Sequence, residues 1–321
     1  MKPKTPARTA LACAALAASL AAPAWAGEGG TSHPVPGAMS TLIDAVPATG
    51  PGLFVKPMVM NYRGKANALL PTAAGVVADL EATVNTLAVV GGYTFGEKLF
   101  GATYTAVAAL PYSFMDVSAN AQLPGGGTRR IANNVSGFGD LTVIPLMLGW
   151  KDADSPWQFN ALMPVYAPTG SYELGRLGNP GLNYWTFDPI IGVAYNNAQS
   201  GFNAVLNTGY AINTENPDTD YKSGEMLHFD GSVQQILPVG QGLLTLGLEG
   251  FYFQQTSCDS GSGATLGCFK GKTAGLGPAV GYILPLSKTE TLVLEAKWLA
   301  EIDVEKRLKG DFIWLKAVYK F

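Results

Sequence analysis

The sequence has 321 residues, of which 47% are hydrophobic and 14% charged, and it contains 39 glycines. Its formal net charge of −3 becomes −6 if three amino-terminal positive charges are removed with a targeting segment, which gives no support for nucleic-acid binding. After that segment the sequence holds no apolar run of 18 residues, which excludes helical membrane spans but not alternating strands.

Residues 1–26 have the organisation of a signal peptide. A short apolar run from 10 to 22 is followed by the small–x–small cleavage pattern at 24–26. The positive residues that precede the run are Lys2, Lys4 and Arg8. The run is too short to cross a membrane. We therefore expect this segment to be cleaved and the protein to be exported.

Residues 27–52, here called the leader, contain too many Gly and Pro residues for a regular element. The composition leaves two interpretations open. The leader is either a disordered segment or a short plug that lies inside or below a barrel. We expect it to plug or gate the periplasmic side.

From residue 53 to residue 321 the sequence repeats runs of about 10 to 14 residues in which apolar side chains alternate with others. This period of two is typical of strands with two different faces. The runs predict twelve strands, with ten or fourteen as alternatives. They lie near 53–62, 81–94, 99–111, 138–150, 156–168, 183–195, 200–212, 224–237, 242–255, 272–285, 290–303 and 309–321.

The connections between these runs alternate between short and long. The short ones are 95–98, 151–155, 196–199, 238–241 and 286–289, and the long ones are 63–80, 112–137, 169–182, 213–223 and 256–271. Short turns at one end and long loops at the other indicate a transmembrane antiparallel β-barrel. A soluble β-sandwich would have shorter strands and no such asymmetry. An even strand count puts both termini on the periplasmic side.

The alternation does not reveal by itself which face of the barrel is outside. In the run 290–303, the even positions are apolar and the odd positions are charged. These charged residues are Glu295, Lys297, Glu301 and Asp303. A soluble barrel turns such a face to water, whereas a membrane barrel turns it to the lumen. Export, loop asymmetry and strand length favour the membrane barrel.

The last run, 309–321, is apolar on one face and ends in Tyr319 and Phe321. An aromatic residue at the end of a barrel-closing strand suits the membrane interface. The run is also similar to the carboxy-terminal assembly signal of bacterial outer-membrane barrels. We expect Tyr319 and Phe321 to serve as that signal.

On the membrane interpretation, twelve polar residues are candidates for lining the lumen. They are Lys56, Asp140, Asn160, Asp188, Asn207, His228, Asp230, Glu249, Glu295, Lys297, Glu301 and Lys316. Such charges are tolerated only if they are paired or hydrated. They either hold the wall together, as in a pair of Glu295 or Glu301 with Lys316, or select what passes through the pore.

The sequence offers little support for catalysis, a metal or a cofactor. His228, Asp230 and Ser232 share a strand face, but alternate strand residues lie about 6.6 Å apart, too far for a direct triad. We therefore expect a structural polar pair rather than an enzyme. Cys258 and Cys268, in an exported protein, predict one loop disulfide and are too few ligands for a metal.

Three strand prolines suggest local breaks in the barrel wall. Pro57, Pro164 and Pro189 lie beside apolar positions, and proline removes a backbone donor from the sheet. Such breaks could kink a strand or open a lateral gap for an apolar solute.

Several short motifs resemble a family of outer-membrane proteins named for the meta-cleavage pathway of phenol degradation. They are the stretch 28–37, which includes Gly30, His33, Pro36 and Gly37, the pairs 46–47 and 51–52, and the strand start 137–141 with Asp140. The resemblance implies a channel for the uptake of aromatic or other hydrophobic compounds. It supplies no catalytic residues.

Together these patterns predict an all-β outer-membrane barrel over 53–321 that passively admits small hydrophobic or aromatic molecules. The alternative is a structural or adhesive barrel with an occluded lumen. The expected partners are outer-membrane lipid, the barrel-assembly machinery and the solute, and we expect a monomer without cofactor or nucleic acid.

Overall fold

A computed structural model describes residues 30–41, 44, 50–67, 69–122, 127–268, 270–287 and 289–321. The predicted signal peptide at 1–26 lies outside the described residues, as do the leader segments 27–29, 42–43 and 45–49. Within the described part of the chain, no helix has the length and apolar character needed to span a membrane.

Sixteen strands account for most of the described chain. In order they are β1 (Gly52–Ala66), β2 (Leu70–Thr72), β3 (Gly75–Leu99), β4 (Ala102–Gln122), β5 (Thr128–Phe138), β6 (Leu141–Lys151), β7 (Trp157–Leu162), β8 (Val165–Ala167), β9 (Thr186–Phe187), β10 (Ile190–Asn196), β11 (Phe202–Asn213), β12 (Met226–Val239), β13 (Gly242–Gln255), β14 (Lys272–Pro285), β15 (Thr291–Glu305) and β16 (Lys309–Lys320).

These strands form one closed antiparallel barrel of twelve strand positions. β1 pairs with both β3 and β16, so the sheet has no open end there. β5 and β6 together make one position, because they pair with successive halves of β4. β7 with β8 and β9 with β10 form two further interrupted positions. The predicted all-β barrel of twelve strands is confirmed.

The barrel turns its apolar face outward. On β11, Leu206 is 50% exposed, whereas its neighbour Asn207 is 1% exposed. Aromatic side chains mark the edges of this apolar surface, as Trp157 packs on Tyr195 at one end and Tyr112 on Phe138 at the other. An apolar outer band with aromatic borders is the pattern of a membrane barrel. The orientation that the alternation left open is thereby settled.

The wall is taller on one side than the sequence predicted. Much of the predicted loops 63–80 and 112–137 is strand, since β4 continues to Gln122 and β5 returns from Thr128. The outward residues of these extensions are polar. Asn134 and Asp116 are examples, and the Asn134 side chain donates a hydrogen bond to the Asp116 carboxylate. Beyond the apolar band the outer face meets water, so apolar alternation no longer reveals the strands.

Two of the three prolines lie at interruptions of the wall. Pro164 separates β7 from β8, and Pro189 separates β9 from β10. The Asp188 N–H donates to the Pro164 carbonyl at 2.9 Å, which joins the two breaks. Pro57, in contrast, lies within the continuous strand β1, opposite Val89.

A β-bulge changes the face of one predicted charge. Ala274 pairs with Asp303 and the next residue, Gly275, pairs with Glu301, so Ile302 is an extra residue in β15. Asp303 therefore points outward, where it pairs with Lys272 at 3.1 Å, and does not share the inner face of Glu301. A bulge of this kind reverses the alternation without a clear signal in the sequence.

Cys258 and Cys268 are joined by a disulfide in the connection between β13 and β14. This connection is at the barrel end that carries the long loops. At the opposite end, the Phe321 N–H donates to the Leu53 carbonyl at 3.0 Å, extending the pairing of the last strand with β1.

Candidate functional site in the barrel lumen

The lumen contains a dense set of polar side chains. All twelve residues predicted to line it point inward, and none is more than 8% exposed: Lys56, Asp140, Asn160, Asp188, Asn207, His228, Asp230, Glu249, Glu295, Lys297, Glu301 and Lys316. This degree of burial means that the charged members depend on partners for their stability. Many of those partners come from the leader.

The described residues of the leader contact the wall at both ends of the lumen. At the periplasmic end, Lys320 Nζ donates to the Gly50 carbonyl at 3.1 Å. At the long-loop end, Gly30 lies against Leu70 and Leu308. The described leader residues therefore reach beyond the periplasmic side, where the sequence predicted a plug.

A tight turn sets the path of the leader. The Ala38 N–H donates to the Val35 carbonyl at 3.1 Å, and Gly37 at the third position has a φ of 77°. Proline at the second position and a positive φ at the third are typical of a type II turn. The Gly37 N–H then donates to Asp230 Oδ1 at 2.8 Å, which ties the turn to the wall.

The leader carboxylate of Asp44 lies among three wall lysines, here called the lysine cluster: Lys56, Lys297 and Lys316. Lys56 Nζ lies 2.8 Å from Asp44 Oδ1, Lys316 Nζ donates to Oδ2, and Lys297 Nζ is 3.8 Å from Oδ2. Both carboxylate oxygens are thus engaged. The sequence predicted the lysines as lumen residues but did not single out Asp44, because its segment has no strand periodicity.

Two wall carboxylates complete this charge network. Lys297 Nζ lies 2.9 Å from Glu249 and 3.4 Å from Glu295, and Lys316 Nζ is 3.7 Å from Glu295. Three lysines therefore face three carboxylates, one of which belongs to the leader. Glu301 lies elsewhere, where it accepts hydrogen bonds from Tyr62 and Thr273. Of the two predicted partners of Lys316, the structure shows only Glu295.

The leader histidine joins the wall to a long loop. His33 Nε2 lies 2.9 Å from Asp140 and its Nδ1 lies 2.7 Å from Thr186, while its ring stacks on Tyr166. Asp140 sits in the break between β5 and β6 and also accepts the Leu182 N–H at 2.6 Å. The sequence marked His33 and Asp140 as family-matching positions, but their contact depends on the fold.

The second histidine, His228, forms a polar pair on the wall. Its Nε2 lies 2.9 Å from Asp188 and its Nδ1 lies 3.5 Å from Asp230, the residue that also binds Gly37. Asp188 comes from the interruption between β9 and β10. Ser232 Oγ has no hydrogen-bond partner among the described residues, so the shared strand face does not place this hydroxyl on the histidine.

A cavity of about 630 Å³ lies beside the leader. Much of its lining is apolar and comes from the inner faces of β1, β3, β4 and β6; it includes Met58, Met60, Val90, Val107, Ala109 and Met147. Val318 and Lys320 line it near the periplasmic end, and Leu308 lines it near the long-loop end. The lumen thus has a polar part, where the leader contacts the wall, and an apolar part, which contains the cavity.

The alternation in the sequence did not predict this apolar wall. On these strands the inward residues are apolar like the outward ones, so polar alternation does not identify them. A signal was nevertheless present, because Met58 and Met60 share one strand face with Lys56.

A small hydrophobic cluster lies at the long-loop end of the barrel. Its members come from strand ends and two connections: Ala66, Leu70, Val77, Leu80, Val117, Ala119, Leu177 and Leu308. Leu177 belongs to the loop 168–185, which is held down by the hydrogen bond from the Gly175 N–H to the Ala73 carbonyl. A second cavity of about 100 Å³ lies beneath this loop. Burial lowers the pKa of nearby Arg307, although Glu301 opposes the shift.

Similarity to one solved outer membrane channel supports the fold. An outer membrane channel from Pseudomonas putida F1 matches with a TM-score of 0.61 and 17% identity, over 90% of this chain and 100% of that one. The β domain of the Bordetella autotransporter BrkA gives 0.46 with 12% identity, over 85% and 100%. The translocator domain of NalP from Neisseria meningitidis gives 0.45 with 13% identity, over 87% and 92%. No curated protein sequence matches significantly.

The closed barrel, its apolar outer band and its likeness to the channel from Pseudomonas putida identify an outer-membrane β-barrel. A family model matches residues 66–317, which is most of the sequence. The chain belongs to the family described as "Putative MetA-pathway of phenol degradation".

Proposed function

We propose that this protein is an outer-membrane channel through which small hydrophobic or aromatic molecules diffuse passively. The observation that carries the proposal is the apolar cavity of about 630 Å³ that runs beside the leader. The family name, which refers to phenol degradation, and the channel from Pseudomonas putida support the same class of function.

The division of the lumen explains the proposed selectivity. The transfer of an apolar solute from water to an apolar lining is favourable by about 25 cal/mol per Å² of apolar surface. Ions and sugars would lose hydration in the same space without matching partners. Methionines such as Met58, Met60 and Met147 suit varied solutes because their side chains are flexible and polarizable. Transport would be passive, since the outer membrane has no ATP supply.

The test is to fill the cavity without changing the rest of the barrel. Ala109 lines the cavity, whereas its neighbour Ala108 points outward and is exposed. We expect Ala109→Phe to reduce the uptake of a labelled aromatic hydrocarbon by intact cells several-fold. Ala108→Phe, the matched control, adds the same side chain to the lipid face and should leave uptake unchanged.

The alternative, a structural or adhesive barrel, predicts a different result. Its lumen would carry no solute, so uptake would equal that of cells without the protein in both variants and in the parent. Equal uptake in the parent and Ala109→Phe, at matched amounts of folded barrel, would contradict the channel proposal.

A further inference from the structure

We propose that the lysine cluster is a carboxylate-binding site, which Asp44 occupies as a tethered ligand and which a small aromatic monocarboxylate occupies when it displaces the leader. The inference rests on the proposed function, because it names one class of solute for the same lumen. It also supplies a means by which a solute could loosen the leader.

The wall around Asp44 carries an excess of positive charge. The wall contributes three lysines to the network but only two carboxylates, Glu249 and Glu295. Without Asp44 the three lysines would therefore carry one unbalanced positive charge. A buried charge without a partner is strongly unfavourable. One monovalent anion restores the balance of charge. In this structure that anion is the Asp44 carboxylate.

The lysine cluster binds both oxygens of the Asp44 carboxylate. The two oxygens of Asp44 engage different lysines, Lys56 at Oδ1 and Lys316 at Oδ2, so the cluster binds the whole carboxylate group. None of the three lysine side chains is more than 10% exposed. A free carboxylate could occupy the same position because its charge and shape are those of the Asp44 side chain.

The apolar cavity lies next to the lysine cluster. Asp44 and Lys56 themselves line the apolar cavity, together with Met58 and Val90. An aromatic acid could place its carboxylate on the lysines and its ring in the cavity. Adjoining polar and apolar contacts of this kind favour such an acid over an inorganic anion or a hydrocarbon.

If a free acid displaced Asp44 from the lysine cluster, binding of that acid would be coupled to release of the leader from the lumen wall. A tethered ligand has an effective concentration on the order of millimolar or higher, so a free acid competes with it at a disadvantage. By reciprocity, an acid that binds better when Asp44 is absent also weakens the docking of the leader. The other leader contacts, at His33 and Gly37, would still hold it near the lumen.

The experiment measures binding directly, by calorimetry on the full-length mature protein in detergent. The probes are benzoate, its neutral isostere benzamide, and acetate, which has the carboxylate without the ring. Asp44→Asn removes the tethered carboxylate, so we expect benzoate to bind this variant at least about tenfold more tightly than the parent. Benzamide should show no gain, and acetate should bind more weakly than benzoate.

Two further variants make the result specific. Adding Lys316→Met to Asp44→Asn should abolish benzoate binding, because it removes the lysine that binds Oδ2. Adding Lys65→Met instead, which removes an exposed lysine of β1, should leave binding unchanged. Heat-modifiable migration on gels establishes that each variant is folded.

A second measurement keeps the inference testable if Asp44→Asn does not fold. Benzoate should accelerate the labelling of a cysteine introduced into the leader, Met39→Cys, by a charged thiol reagent, whereas benzamide should not. Equal effects of benzoate and benzamide, or binding that survives Lys316→Met, would overturn the carboxylate site. Neither measurement requires transport, so a failure of the uptake test would not be confused with a failure here.

Discussion

Gly37 shows how much of the leader's position depends on one residue. Its φ of 77° lies in the left-handed region, and a Cβ at this position would overlap Leu299 Cδ1. Only glycine meets both constraints without strain. The same residue donates its N–H to Asp230, so the turn and the wall contact depend on one backbone conformation.

Gly37→Ala should therefore weaken the docking of the leader. Left-handed backbone costs an L-residue roughly 1–2 kcal/mol, before the contact with Leu299 is counted. We expect the leader to leave the lumen about tenfold more often, measured as the labelling rate of Met39→Cys. Cys258 and Cys268 do not interfere, because they are bonded to each other.

Gly91→Ala is the matched control for this prediction. Nothing lies within 4 Å of a Cβ built at Gly91, and its φ is not in the left-handed region. It should label at the parent rate. If Gly37→Ala also labels at the parent rate, the turn does not determine the position of the leader.

Inward residues could be predicted from sequence at this scale, but their partners could not. A period of two is enough to place Glu249 and Lys297 on inner faces. Their contact, at 2.9 Å, depends on side chains that reach past β14, the strand that lies between β13 and β15. The contact between Asp44 and Lys316 also needs the path of the leader, which has no periodicity.

Among the elements, the last strand has the clearest role. β16 pairs with β15 on one side and β1 on the other, so it closes the barrel. Its Lys316 faces the lumen, while Ile313 and Leu315 are exposed on the outer face. At its end, Tyr319 and Phe321 pack with ring centroids 4.7 Å apart.

Deletion of Phe321 should impair assembly rather than selectivity. We propose that this residue and Tyr319 are the signal for the assembly machinery, and the deletion also removes the hydrogen bond to Leu53. The expected result is a several-fold lower amount of heat-modifiable barrel in outer-membrane fractions. Phe100→Ala, which removes a 79% exposed aromatic from a short turn, should assemble normally. Normal insertion of the deleted chain would contradict the assignment.

The number of strands was predictable, but their lengths and breaks were not. Each run that crosses the membrane has one apolar face, and this gives the count of twelve. The upper half of β4 and all of β5 were missed because polar residues such as Asn120 and Arg130 face water there. The break at Asp140 follows from contacts with the loop at Gly170 and Leu182, which no local pattern reveals.

For the whole molecule, the central feature is the division of the lumen. The described leader residues supply partners to polar groups of the wall, and the apolar cavity lies beside them. The sequence predicted both a plug and a lumen with polar side chains. The sequence could not show that the plug and the polar side chains share one side of the lumen. Their position depends on how the inner faces of twelve strands are arranged around a segment that has no strand periodicity.

Single-channel conductance of the full-length barrel and of a chain lacking residues 27–50 tests whether the leader seals the polar part of the lumen. We expect little ion current through the full-length barrel, because the leader occupies the polar part and the cavity is largely apolar. Removal of the leader should produce large, stable current steps, since it removes the segment whose Gly37 and Asp44 contact the polar wall. Equal conductance in the two folded barrels would contradict the claim that the leader seals the polar path.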